Sequence, residues 1–107
     1  MARFIYLYRG PAASMSDLTA EQAAQRMAAF GAWMEKVGPA LVDVGSPFGS
    51  SAAVRDDGSE GLAGDLTGYT IVEAADLDAA KAFTEGLPFL SGNDGKCMVE
   101  IFELLAL

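Results

Sequence analysis

The sequence predicts an α+β domain whose elements run strand, helix, strand, strand, helix, strand, with the four strands in one antiparallel sheet. Two observations carry this. Short β-branched and aromatic runs alternate with Ala-rich runs of helical period, and Gly or Pro closes nearly every run. A length of 107 residues suits a single domain over 1–107.

Residues 3–9 place Phe4, Tyr6 and Tyr8 on one face and Ile5 and Leu7 on the other, a strand apolar on both sides, stopped by Gly10-Pro11. Thr19 begins a helix, with Gln22 completing a capping box. Ala23, Met27, Phe30, Met34 and Val37 form its inward stripe, Trp33 flanks that stripe as packing or dimer surface, and Gly38-Pro39 ends the helix. Residues 40–44 read as the second strand, ended by Gly45, Pro47 and Gly49. Asp56-Asp57-Gly58-Ser59 lies between short apolar pieces and predicts a small, mobile hairpin or loop within 50–65. Residues 69–73 form the third strand. Asp76 caps a second helix carrying Leu77, Ala80 and Phe83, stopped by Gly86. A polar turn at 91–95 leads to the last strand at 97–104. This is the ferredoxin-like plan, with helices on one sheet face only.

Period-two alternation assigns Ile5, Leu7, Val42, Val44, Thr70, Val72, Val99 and Ile101 to the helix face. The opposite face then carries Phe4, Tyr6, Tyr8, Leu41, Asp43, Tyr69, Ile71, Met98, Glu100 and Phe102. Half of these are aromatic, too apolar a surface to leave in water, so a second copy of the chain is expected to cover it. Tyr6, Tyr8, Asp43, Tyr69 and Glu100 become candidate pocket residues: polar groups in an apolar enclosure.

Charge and composition exclude much. Seven Lys and Arg against fifteen Asp and Glu give a net charge of −8, which disfavours nucleic acid and anionic membranes as partners. There is no histidine, which removes the usual base near neutrality, His-containing triads and His-ligated metals. Cys97 is the only cysteine, so neither an intrachain disulfide nor a thiolate zinc cluster can form. No cofactor and no metal are expected. The glycines match neither G-x-G-x-x-G nor a P-loop, and the acidic residues at 56–65 lack the order of an EF-hand. The five apolar residues before Arg9 are too few for a signal peptide, and a cytoplasmic location is expected.

The strand at 4–8, the run Leu66-Thr67-Gly68-Tyr69-Thr70-Ile71-Val72-Glu73, the segment Asp76-Leu77-Asp78-Ala79-Ala80-Lys81-Ala82, the turn Leu87-Pro88-Phe89-Leu90 and the final strand together resemble the YCII-related family. The resemblance covers most of the chain and thins at 10–20 and 47–65. It implies a dimeric α/β barrel, and some family members resemble small-molecule lyases or dehydrochlorinases. One branch has a proposed His–Asp site. Its histidine would fall near Ala29–Phe30 here, where none exists, so Asp43 is not given the partner role.

Asp43 and Glu100 remain the acid/base candidates, because a carboxyl in an apolar pocket shifts toward the neutral acid. The competing reading pairs them with Arg3, Arg9 or Arg55. The expected function is a homodimer that binds a small organic molecule, with a lyase- or isomerase-type reaction on carboxylate and tyrosine. The alternative is a non-catalytic dimeric structural or interaction module.

Overall fold

A computed structural model describes residues 1–10, 19–90 and 95–106. Its elements are β1 (Ala2–Arg9), α1 (Ala20–Val37), β2 (Leu41–Pro47), β3 (Ala53–Val54), β4 (Glu60–Gly61), β5 (Leu66–Ala74), α2 (Leu77–Ala82) and β6 (Met98–Leu104), with 3-10 turns at Gly38–Ala40 and Pro88–Leu90. Four strands form one sheet in the order β2-β5-β1-β6, every neighbouring pair antiparallel. This is the expected ferredoxin-like βαββαβ arrangement. β3 and β4 are an added hairpin that pairs only with itself. The polar turn at 91–95 lies outside the described residues, apart from Gly95.

Local chemistry sets the helix ends. Thr19 accepts the Gln22 amide and the Gln22 side chain accepts the Thr19 amide, a reciprocal pair satisfying two otherwise orphan donors. Asp76 accepts the Ala79 amide at 2.8 Å at the start of α2. Regular helix stops at Ala82, earlier than Gly86, and turns carry the chain on to that glycine.

The sheet corrects the face assignment of β1. Phe4 faces Val72, Tyr6 faces Thr70 and Ile101, and Tyr8 faces Val99 across the ladders. Facing residues share a side, so these three aromatics lie under the helices. They are buried there with Trp33, Val37, Ala80 and Leu87. Ile5 and Leu7 lie on the open face instead, opposite Ile71, Tyr69, Phe102 and Glu100. Volume decides this. The helix-side positions of β5 are Gly68, Thr70, Val72 and Ala74, small or medium residues that leave room for three large rings. Each buried tyrosine also finds a hydroxyl partner there: Tyr6 donates to the Ala80 carbonyl, and Tyr8 bonds Thr70. The assignments of Thr70, Val72, Val99 and Ile101 to the helix side, and of Tyr69, Ile71, Met98, Glu100 and Phe102 to the other, agree with the ladders.

β2 departs from simple alternation as well. Leu41 packs against the core while Val42 is exposed, and the register shifts between Leu41 and Asp43 and again between Asp43 and Ser46. Gly45 does not end the strand. It makes the bulge, with φ +81°, and a Cβ there would sit 1.6 Å from the Tyr69 carbonyl oxygen. The Asp43 carboxylate accepts the Gly45 amide at 2.9 Å and holds the bulge in shape.

Candidate functional site

A cleft of about 500 Å³ lies between α1 and the sheet, with the Gly45 bulge in its wall. Tyr8 of β1 and residues 67–70 of β5 make its floor, and Val44–Pro47 make one wall. Arg26, Met27, Phe30 and Met34 of α1 line it from above, and Pro88-Phe89 close one end. The helical residues recur at three and four positions, so one stripe of α1 serves the whole cleft. Met27 is 68% exposed yet lines the cavity, which explains why this member of the predicted stripe stays out of the core. Gly68 matters for space. A Cβ on it would come within 3.0 Å of the Ser46 carbonyl and 3.4 Å of the Tyr8 ring.

Tyr8 is a buried polar group of the floor. Its ring packs against Phe89 with centroids 5.1 Å apart, and its hydroxyl lies 2.5 Å from Thr70 Oγ1. Thr70 Oγ1 in turn donates to the Val44 carbonyl at 2.9 Å. A carbonyl only accepts, so the threonine proton is committed to Val44. The Tyr8 proton must therefore point at Thr70. Burial pushes the Tyr8 phenol above the ordinary tyrosine range, and the Thr70 bond offsets part of that. Tyr8 thus holds its proton at neutral pH and presents an oxygen that can accept.

The five candidate pocket residues do not converge. Tyr8 and Tyr69 border the cleft. Tyr6 is fully buried beneath α2. Tyr69 donates to Asp43 at 3.2 Å and stacks on Phe48 with centroids 5.9 Å apart. The nearby Asp43 charge raises its phenol. Asp43 is exposed and serves the bulge and Tyr69 together. Glu100 is on the open face, bonded by Arg9 through Nη2 at 3.2 Å, and Arg9 also bridges to Asp65. Tyr6 and Tyr8 do not reach Glu100, because both tyrosines lie on the other side of the sheet. Trp33 is core, its indole donating to the Phe83 carbonyl at 2.7 Å.

Sequence reasoning passed over Arg26, Thr70 and the bulge wall. A signal for Arg26 was present: it stands four residues before Phe30 and eight before Met34, in line with the apolar stripe.

The YCII-related domain family matches residues 1–104. The chain belongs to the YCII-related family. The cleft carries Phe30 about where the earlier resemblance expected a histidine. No curated protein matches this family member. Among solved structures, it is similar to 5-chloro-2-hydroxyhydroquinone dehydrochlorinase (TftG) from Burkholderia phenoliruptrix, in complex with 2,5-dihydroxybenzoquinone. The identity is 22%, the match covers 92% of this chain and 90% of that one, and the TM-score is 0.52. At that identity the likeness establishes a shared fold. No group of three or more metal-ligating side chains occurs among the described residues, and no described helix is long and apolar enough to cross a membrane.

Proposed function

We propose that this YCII-related protein binds a compact organic molecule in the cleft beneath α1 and acts as a dimer joined through its open sheet faces. The cleft carries the first part. Its volume falls in the ordinary range for small-molecule sites, and its lining is apolar and aromatic with few polar groups, the usual make-up of such sites. The structural neighbour adds support, since that enzyme holds a small ring compound on the same fold. The open face supports the second part: Ile5, Leu7 and Ile71 lie half-buried beside exposed Met98, Phe102 and Leu104.

In a lyase- or isomerase-type step in this cleft, Tyr8 would orient the substrate by accepting its hydrogen bond, since its own proton is committed to Thr70. A non-catalytic dimeric role is the second reading, and one observation favours it. Among the described residues the lining holds no carboxylate, and the chain has no histidine.

Titration of the full chain with 2,5-dihydroxybenzoquinone, followed by melting temperature and by the methyl signals of Met27 and Met34, tests the binding reading. Stabilisation with shifts at both methionines is expected. Met27→Trp should fill the cleft from an exposed position and abolish both effects. Unchanged binding by that variant, or no response from the native chain, would refute the cleft as the site.

A further inference from the structure

Two polar features of the cleft specify its ligand more closely, given the reading that the cleft is the binding site. The first is the direction of the Tyr8–Thr70–Val44 hydrogen-bond chain. With its own proton committed to Thr70, the Tyr8 oxygen can only accept, so a polar ligand group that meets it must bring a proton. An ether, ketone or carboxylate placed there would leave two acceptors facing each other.

The second feature is Arg26. It lines the cleft on the same helical stripe as Phe30 and Met34, is half-buried, and forms no salt bridge with a described residue. Arg3 and Arg9, by contrast, both pair with carboxylates. A guanidinium at a partly desolvated apolar cleft favours a planar anion, because its fork of N–H groups matches a carboxylate in geometry as well as in charge. The chain's net charge of −8 repels anions at range. That repulsion is screened beyond about 8 Å at physiological salt, which leaves the local cation in control of the bound state. The remaining surface offers the rings of Tyr8, Phe30 and Phe89, suited to an aromatic ring between the two polar ends.

We infer that the cleft takes a hydroxylated aromatic carboxylate, its carboxylate on Arg26 and its hydroxyl donating to the Tyr8 oxygen.

Calorimetric titration of the full chain with 3- and 4-hydroxybenzoate, benzoate and the matching neutral hydroxybenzyl alcohols tests this, with methionine methyl shifts locating the site. The better hydroxybenzoate should bind at least about tenfold more tightly than its neutral alcohol. Arg26→Met should erase that preference, and Arg26→Lys should keep part of it. Tyr8→Phe should bring hydroxybenzoate down to the affinity of benzoate while leaving benzoate unchanged, and benzoate binding itself reports that this variant is folded. A neutral alcohol that binds as tightly as the acid, or an Arg26→Met variant that keeps the preference, would overturn the anion assignment and leave the cleft reading standing. Failure of every compound to move the Met27 and Met34 signals would overturn both.

Discussion

The Tyr6 hydroxyl, on the central strand, donates its hydrogen bond to the backbone carbonyl of Ala80 in α2. Carbonyls in the last turn of a helix have no amide partner inside the helix, and α2 has only six residues. A side chain 74 positions away thus satisfies a backbone group of that short helix and fixes its height above the sheet. Removing the hydroxyl by Tyr6→Phe leaves the ring in place and strips this acceptor. Destabilisation of about 1–3 kcal/mol is expected, the usual cost of an orphaned buried polar group, read from the urea midpoint. A neutral or stabilising result would mean that the contact contributes nothing.

Burial raises the phenol of Tyr6 well above the ordinary tyrosine range, with Tyr8 adding to it, and burial raises Tyr8 too. The unfolded chain, with tyrosines near the usual value of about 10, therefore loses these protons first. The stabilisation from the two groups is complete below that pH and is lost as pH climbs toward the folded-state values. Urea midpoints should stay level from pH 7 to 9 and fall above about 10. Replacing both tyrosines with Phe should flatten the fall. An equally steep fall in the double variant would assign it elsewhere.

Gly45 and Gly31 should respond in opposite directions to alanine. At Gly45 the positive φ and the collision with the Tyr69 carbonyl predict loss of more than about 2 kcal/mol and a collapsed cleft wall. Gly31 lies inside α1 with nothing within 4 Å of a new Cβ, so Gly31→Ala should stabilise by about 0.5–1 kcal/mol. Thermal melts of the two variants settle both. Equal effects of one sign would contradict the bulge.

Glu100 belongs to an ion pair with Arg9 in which both side chains are about a third exposed. Glu100→Gln should cost only about 0–1 kcal/mol, as partly exposed pairs do. It should leave ligand response in the cleft intact, because the residue lies on the far side of the sheet. Loss of ligand response in a folded variant would place Glu100 in the site after all.

The open face predicts a dimer by sedimentation at micromolar concentration. Phe102→Glu, which puts a charge beside Met98 and Leu104 where the native ring is 53% exposed, should shift the population to single chains. A native chain that sediments at one chain mass would refute dimerisation through this face.

Element order, both helix caps and the sides of β5 and β6 were readable from residues because each signal is local. Thr19 with Gln22 and Asp76 with Ala79 lie within one turn of each other. The alternation in β5 sets Thr70 and Val72 against Tyr69, Ile71 and Glu73, and it names its own inner face. β1 offers no such contrast, since both of its faces are apolar. Its orientation depends on the room left by Gly68 and Ala74 and on hydroxyl partners more than 60 residues away. The cleft was hidden for the same reason. Tyr8 could not be placed under α1 while β1 faced the other way, and the Gly45 bulge in the wall resembles a strand end when seen only as Gly45-Ser46-Pro47.

β1 sits between β5 and β6, so the earliest of these strands pairs with the two latest of them, and Arg3 meets Leu104. On the ribosome, at about 5–20 residues per second, β1 has no pairing partner until β5, which ends at Ala74, has emerged. Phe4, Tyr6 and Tyr8 spend that interval without their native cover. Pairings of such long sequence separation also favour slow folding, toward the millisecond-to-second end of the range for small domains. A circular permutant that brings β6 directly before β1 would turn the longest-range ladder into a hairpin and should fold faster at similar stability.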